Sequence, residues 1–170
     1  MRNLCPPEHF TTRHRVAEFA NGRHPVLDEW LHNRTSGSEG LTARTYVTCP
    51  QSDPEKIVGY YCILAAMAQR AFLPSAKLRK SMPDDIPLLL IGRLAVDAGW
   101  QGCGIGSALL VDAVRRCLAA TELIGARAII AHAIDGKAVA FYQKHGFLLS
   151  PLGERVMVLP VETARGLVAQ

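Results

Sequence analysis

Two apolar segments separated by a glycine-rich loop constrain this chain most. Pro87 to Val96 reads P-L-L-L-I-G-R-L-A-V, and Ser107 to Leu123 reads S-A-L-L-V-D-A-V-R-R-C-L-A-A-T-E-L. The first is a near-continuous apolar run of the kind expected of a central strand buried on both faces. Gly92 inside it marks a bulge or a close backbone approach. The second spaces Leu110, Ala113, Val114, Cys117 and Leu118 for one buried helical face. Between them, Trp100 to Gly106 reads W-Q-G-C-G-I-G. A buried strand, a glycine loop and a helix start in direct succession make an anion cradle. First-turn N–H groups lack intrahelical partners, the helix dipole adds partial positive charge, and glycine lets a phosphate approach without meeting a Cβ. The stretch therefore predicts a phosphorylated ligand at residues 102–107, although a glycine cluster alone also fits a plain tight turn.

The remaining pattern places this unit in a mixed α/β chain. Pro25 opens a short helix with Val26, Leu27, Trp30 and Leu31 on one face. Thr35 to Gly40 is a turn-rich loop. Arg44 to Cys49 and Lys56 to Leu64 are β-branched and aromatic, separated by a connector with Pro and Asp, and read as a strand pair. Gly125 ends the long helix. Ala126 to Ala133 is a second buried strand, Asp135 caps a helix through Lys144 that ends near Gly146, and Arg155 to Val161 is a last strand. With 170 residues and no repeat or linker, a single domain over 1–170 is the expectation.

Charge and cysteine usage narrow the classes. A net charge of +4 permits an anionic partner without requiring one. Lys77, Arg79 and Lys80 cluster in a segment without apolar periodicity, readable as a solvated loop or as a phosphate-facing patch. The scattered Cys5, Cys49, Cys62, Cys103 and Cys117 form no C-x-x-C pair, which argues against a disulfide framework and a zinc site. No apolar run approaches the roughly 20 residues that span a bilayer. The polar, Pro-bearing start is unlike a secretory signal, so cytoplasmic residence is the default expectation.

The loop excludes two common phosphate binders. Walker A requires G-K-[ST], but Ser107-Ala108 follows Gly106. The Rossmann fingerprint requires a glycine where Ser107 stands. What fits is Q-x-x-G-x-G, here Gln101-Gly102-Cys103-Gly104-Ile105-Gly106, which resembles motif A of the GNAT N-acetyltransferases. Downstream, Asp135-x-x-Ala138-x-x-Phe141-Tyr142-x-x-x-Gly146-Phe147 resembles a second GNAT segment, N-x-x-A-x-x-F-Y-x-x-x-G-F. The resemblance implies the GNAT fold, α/β (α+β), with a mixed, mostly antiparallel twisted sheet and a splayed central strand flanked by helices.

It also implies acetyl-CoA as cosubstrate and no metal. Leu94, Ala95 and Val96 would pair with the pantetheine arm. Gln101, Gly102, Cys103, Gly104, Ile105, Gly106 and Ser107 would cradle the pyrophosphate, and Asp135 would meet the cofactor arm. Cys103 stands where the family is often basic, and Asp135 where asparagine is more usual. Tyr142 matches the tyrosine that protonates the departing thiolate; its bland alternative is a core residue beside Phe141 and Phe147. No side chain stands out as the base. His132 reads as a core histidine and His145 as a surface or dipole-stabilising group.

Within the family, I-G-R-L-A-V-D with W-Q-G, A-H-A-I-D, L-D-E-W-L and A-R-T-Y-V are similar to the acetyltransferase toxins of bacterial toxin–antitoxin pairs. That similarity implies aminoacyl-tRNA as acceptor, a ribbon–helix–helix antitoxin as partner, and a possible homodimer. Lys77, Arg79, Lys80 and Arg93 are the candidate tRNA contacts. Arg93 interrupts an apolar strand, where a charge is costly unless paired or facing a groove; a buried ion pair is its alternative. A small-amine or protein acetyltransferase and an idle CoA- or RNA-binding module remain the competing functions.

Overall fold

The computed structural model describes residues 3–33 and 39–169, so most of the turn-rich loop expected at Thr35–Gly40 lies outside the described residues. Among the described residues, seven strands, β1 (Glu8–His9), β2 (Arg44–Thr48), β3 (Gly59–Gln69), β4 (Asp85–Val96), β5 (Ala128–His132), β6 (Leu148–Leu149) and β7 (Val156–Pro160), have the hydrogen-bonded order β1-β2-β3-β4-β5-β7-β6. Helices α1 (Pro25–His32), α2 (Ala76–Arg79), α3 (Ile105–Thr121) and α4 (Gly136–Lys144) lie between them in the chain, with β2 and β3 and β6 and β7 joined without an intervening α-helix, and α5 (Val161–Val168) follows β7. The chain divides into two compact units, one holding the segments up to Ile63 and Gly92–Ala113, the other Leu64–Ile91 and the segment from Val114 onward.

In the first unit, β1 pairs antiparallel with β2, and β2 with β3 from Arg44↔Ile63 to Thr48↔Gly59. Tyr60 is fully buried; its hydroxyl donates to the Leu27 carbonyl at 2.6 Å, and its ring stacks on Trp30 and meets Phe19 edge-on. This one side chain therefore ties α1 to β3. On the opposite parity, Tyr61 donates to the Asp112 carboxylate of α3. A Cβ on Gly59 would come within 2.8 Å of Leu109 Cδ1, so glycine is what lets α3 lie close on the strand.

In the second unit, β4 and β5 run parallel from Leu88↔Ala128 to Ile91↔Ala131, with α3 between them in the chain as the crossover that parallel pairing requires. The ladder ends at Ile91, and β4 continues through Val96. β7 pairs antiparallel with β5 and β6. Leu73, Ile86, Leu88, Ala128, Ile130 and Val158 form a buried cluster there. Both expected buried strands owe their solid apolar runs to this position.

Several elements differ from expectation for local reasons. β3 continues to Gln69, five residues beyond Leu64, where the half-buried positions are only Ala66 and Ala68 and Ala65, Met67 and Gln69 are exposed, a pattern that carries no strong strand signal. α3 stops at Thr121, whose hydroxyl donates back to the Leu118 carbonyl at 2.7 Å, so Gly125 is not its cap. α2 is a single turn capped by Ser75, which accepts from the Leu78 N–H, rather than an irregular segment. α5 follows β7 directly and adds a helix to the expected elements; Arg127 holds its first turn through Glu162 at 2.8 and 3.0 Å. Burial pushes the Glu162 carboxyl up, but its backbone hydrogen bond and Arg127 outweigh this and hold it below the usual range.

α4 shows both expected ends. Asp135 accepts from the Ala138 N–H at 2.8 Å. At the other end Gly146 has φ +88, its N–H reaches the Gln143 carbonyl, and Phe147 N–H reaches Tyr142, a Schellman closure. A Cβ on Gly146 would stand 2.8 Å from Leu167 Cδ1 of α5. Gly146→Ala is expected to cost about 1–2 kcal/mol, a fall in melting temperature of several degrees in thermal unfolding. Gly146→Asn, which tolerates the left-handed region better, should cost less.

Candidate functional site

The glycine loop is built by the backbone. Gly102 (φ +76) and Gly104 (φ +80) occupy the left-handed region, and a Cβ on either would meet nothing within 4 Å. Glycine is required there by conformation and leaves open space in front of the chain. Ala108 donates the first i→i−4 bond of α3 to the Gly104 carbonyl at 3.1 Å. The N–H groups of Ile105, Gly106 and Ser107 thus belong to the first turn, where the dipole favours an anion. A phosphate fits such a cradle by shape and by charge.

Residues around the loop hold it in place. Gln101 Nε2 donates to the carbonyls of Asn21 at 2.7 Å and Val96 at 3.0 Å. Asn21 is buried and is itself fixed: its amide donates to His24 O and Asp28 Oδ1, and its Oδ1 accepts from the backbone of Arg23 and His24. Asp97 accepts from Gly99 N–H at 3.0 Å and from Ala20 N–H at 3.2 Å. A Cβ on Gly22 (φ +80) would lie 3.0 Å from the Ala98 Cβ. Sequence reasoning passes over Asn21 and Gly22, although an Asn-Gly pair is a turn signal in its own right. Cys103 is exposed at the loop tip, with Sγ 3.6 Å from the Gln101 carbonyl.

Leu94, Ala95 and Val96 end β4 in the same unit as the loop, past the last residue laddered to β5. Arg93 precedes them, half-buried. Its Nη1 donates to the Gly92 carbonyl at 2.7 Å, while its Nε is buried without a partner. An orphaned buried donor costs roughly 1–3 kcal/mol. The alternative expected for Arg93, a buried ion pair with an acid, does not form among the described residues.

In the second unit, Tyr142 lies in the last turn of α4, 6% exposed, with its ring 5.3 Å from that of Phe141 and 5.2 Å from that of Phe147. The aromatic neighbours and the Schellman closure fix the ring. Asp135 opens the same helix. His132 is exposed at the end of β5, against the expected core position; it still pairs with Val156 of β7 but lies past the last residue laddered to β4. His145 Nδ1 lies 2.7 Å from the Phe141 carbonyl, committing that nitrogen to the helix end. Lys77 on α2 and Lys80 just after it are exposed, whereas half-buried Arg79 donates to the Leu73 carbonyl at 2.8 Å and so anchors its own segment. Cys49 and Cys117 are buried, and burial pushes both thiols up to about 12, consistent with inert core residues.

The model of the acetyltransferase (GNAT) domain matches residues 43–148, from the start of β2 to the start of β6. The chain belongs to the GNAT acetyltransferase family. Both motifs lie within the match. A tRNA-acetylating toxin of Mycobacterium tuberculosis is 36% identical to this acetyltransferase over 169 residues, 99% of each chain. Among solved structures, AtaT complexed with acetyl-methionyl-tRNAfMet superposes with a TM-score of 0.88 at 26% identity, covering 97% of this chain and 99% of that one. AtaTR bound with AcCoA gives 0.82 at 27% identity, covering 97% and 98%. Among the described residues of the acetyltransferase there is no cluster of three or more His, Cys, Asp and Glu able to hold a metal, and no helix long and apolar enough to cross a membrane.

Proposed function

We propose that this acetyltransferase is a single catalytic domain that moves the acetyl group of acetyl-CoA to the α-amino group of an aminoacyl-tRNA, and that it acts in the cytoplasm as a translation-blocking toxin. End-to-end similarity to a tRNA-acetylating toxin carries this reading. The open cradle supports it, since left-handed glycines with free space before them suit the pyrophosphate of acetyl-CoA. Gly102 to Ser107 hold the phosphates through backbone N–H groups, with Gln101 bracing the loop. Leu94, Ala95 and Val96, past the last residue laddered to β5, pair through their backbone with the pantetheine arm as an added strand would. Asp135 meets the cofactor arm at the start of α4.

Acetyl-CoA supplies an activated acyl group whose sulfur must leave as a thiolate. Tyr142 gives that sulfur its proton. The base problem is small for this acceptor. An α-amino group with a pKa of roughly 7.7–8.0 is partly neutral at cellular pH, and the adjacent ester lowers it further. Exposed Lys77 and Lys80, with Arg79 and Arg93, supply positive charge for tRNA phosphates. A ribbon–helix–helix antitoxin would neutralise the toxin, and a homodimer is its proposed assembly; AtaT has been solved with the C-terminus of its antitoxin AtaR.

Labelled acetyl-CoA, the purified protein and a mixture of charged tRNAs test the reading, with uncharged tRNA and polyamines alongside. Label on charged tRNA only, released by mild ester hydrolysis, is the expected result. Label on a small amine would make this a different acetyltransferase. Acetyl-CoA binding without transfer to any acceptor would leave only a binding module.

A further inference from the structure

The guanidinium of Arg93 is the part of the proposed site whose chemistry is incomplete. Its Nε is buried without a partner, its Nη1 reaches only the carbonyl of the preceding residue, and no described carboxylate neutralises it. Arg127, the other arginine with an orphaned Nε, differs because its Nη1 is satisfied by both oxygens of Glu162. A charge taken partly out of water without a counter-ion is tolerated where an anion arrives from outside. The planar fork of arginine matches a phosphate bidentately, which a lysine ammonium does not.

Chain order identifies which phosphate. The glycine cradle at residues 102–107 lies after Leu94–Val96, and Arg93 lies before them. A cofactor with its pyrophosphate in the cradle and its arm along Val96 to Leu94 brings its thioester end toward Arg93. From Arg93 to Val96 the strand advances about 10 Å, so the cofactor phosphates are held at the far end. Strand alternation also places Arg93 with Ile91 and Ala95, on the face opposite Leu94 and Val96. By chain order Arg93 therefore stands at the thioester end of the arm, the end the acceptor must reach.

We propose that Arg93 binds the acceptor, its guanidinium taking a phosphodiester of the single-stranded 3′ end that carries the amino acid. This rests on the aminoacyl-tRNA reading above. Arg93 thereby sets the position of the α-amino group against the thioester and favours acceptors that carry a phosphate beside the amine over free small amines.

The test compares wild type, Arg93→Met and Arg93→Lys on charged tRNA over a range of NaCl concentrations. For Arg93→Met, KM for charged tRNA is expected to rise about tenfold, with a smaller change in kcat. The slope of log kcat/KM against log salt should become shallower by about 0.7, the value for one lost contact to single-stranded nucleic acid. Arg93→Lys should restore the slope but only part of the KM. The calorimetric Kd for acetyl-CoA and its salt dependence should match wild type in both variants. An unchanged salt slope in Arg93→Met overturns the proposal, and so does a weakened acetyl-CoA Kd with tRNA KM unmoved, which would assign the phosphate to the cofactor. If thermal unfolding shows that Arg93→Met does not fold, Arg93→Lys decides: KM raised severalfold with the slope retained supports the proposal, and unchanged KM overturns it. Wild-type protein that fails on charged tRNA refutes the aminoacyl-tRNA reading itself, a separate outcome.

Discussion

Tyr142→Phe is expected to lower kcat by two to four orders of magnitude, roughly the contribution of a positioned general acid, while the Kd for acetyl-CoA stays within about twofold. The change removes one oxygen from a ring that is 6% exposed and packed against Phe141 and Phe147. Phenylalanine retains those ring contacts, so α4 and its Schellman end should persist and the melting temperature should move little. Losing the hydroxyl leaves the departing thiolate to take its proton from solvent. Single-turnover kinetics with labelled acetyl-CoA separate this from a binding defect: the acyl-transfer rate should fall while binding amplitude does not. A variant with unchanged transfer rate would return Tyr142 to the role of a core aromatic.

Gly104→Val should abolish most acetyl-CoA binding with little damage to the fold. At φ +80 a β-branched side chain is strained by about 1–3 kcal/mol, and the exposed loop can relieve that strain only by leaving the cradle geometry. Nothing lies within 4 Å of the added Cβ, so the protein itself offers no clash; the new methyl groups fill the space the phosphate needs. Ligand-induced stabilisation gives the readout. At a ligand concentration of 100 times the wild-type Kd, binding stabilises by about 2.7 kcal/mol; a hundredfold weaker Kd reduces this to about 0.4 kcal/mol. The thermal shift with acetyl-CoA should therefore nearly vanish, while the ligand-free melting temperature falls modestly. A full thermal shift in Gly104→Val would remove the loop from the cofactor site. Gly104→Ala should fall between the two.

Elements with strong patterns are legible in the amino-acid sequence. The apolar run of β4, the face of α3, the antiparallel pair β2/β3 and the capped helix α4 are each specified by spacing within one segment. The shortest pieces are not. β1 and β6 have two residues each, too few to show a period, and the half-buried positions of β3 beyond Leu64 are alanines, while the large apolar Met67 faces outward. α5 carries signals in Glu162 and Arg165, but it begins immediately after an all-buried strand, so its apolar positions read as a continuation of that strand. Exposure at the ends of elements is equally hidden: His132 sits in an apolar stretch yet faces solvent.

The same division runs through the candidate site. The glycine cradle follows from sequence because its requirements are local: a left-handed backbone needs glycine at 102 and 104, and a helix start exposes its N–H groups wherever a chain places one. The helix cap at Asp135 and the turn at Gly146 are local for the same reason. What only tertiary structure decided is how each polar group is spent. Gln101 is committed to Asn21, eighty residues away in the chain, and Arg79 to its own loop, while Lys77 and Lys80 are exposed. Arg93 looks in sequence like any arginine seeking an acid, and folding brings it none among the described residues. Hydrogen-bond partners are chosen among groups distant in the chain, and no periodicity within a segment records which donors find an acceptor and which are left to a ligand.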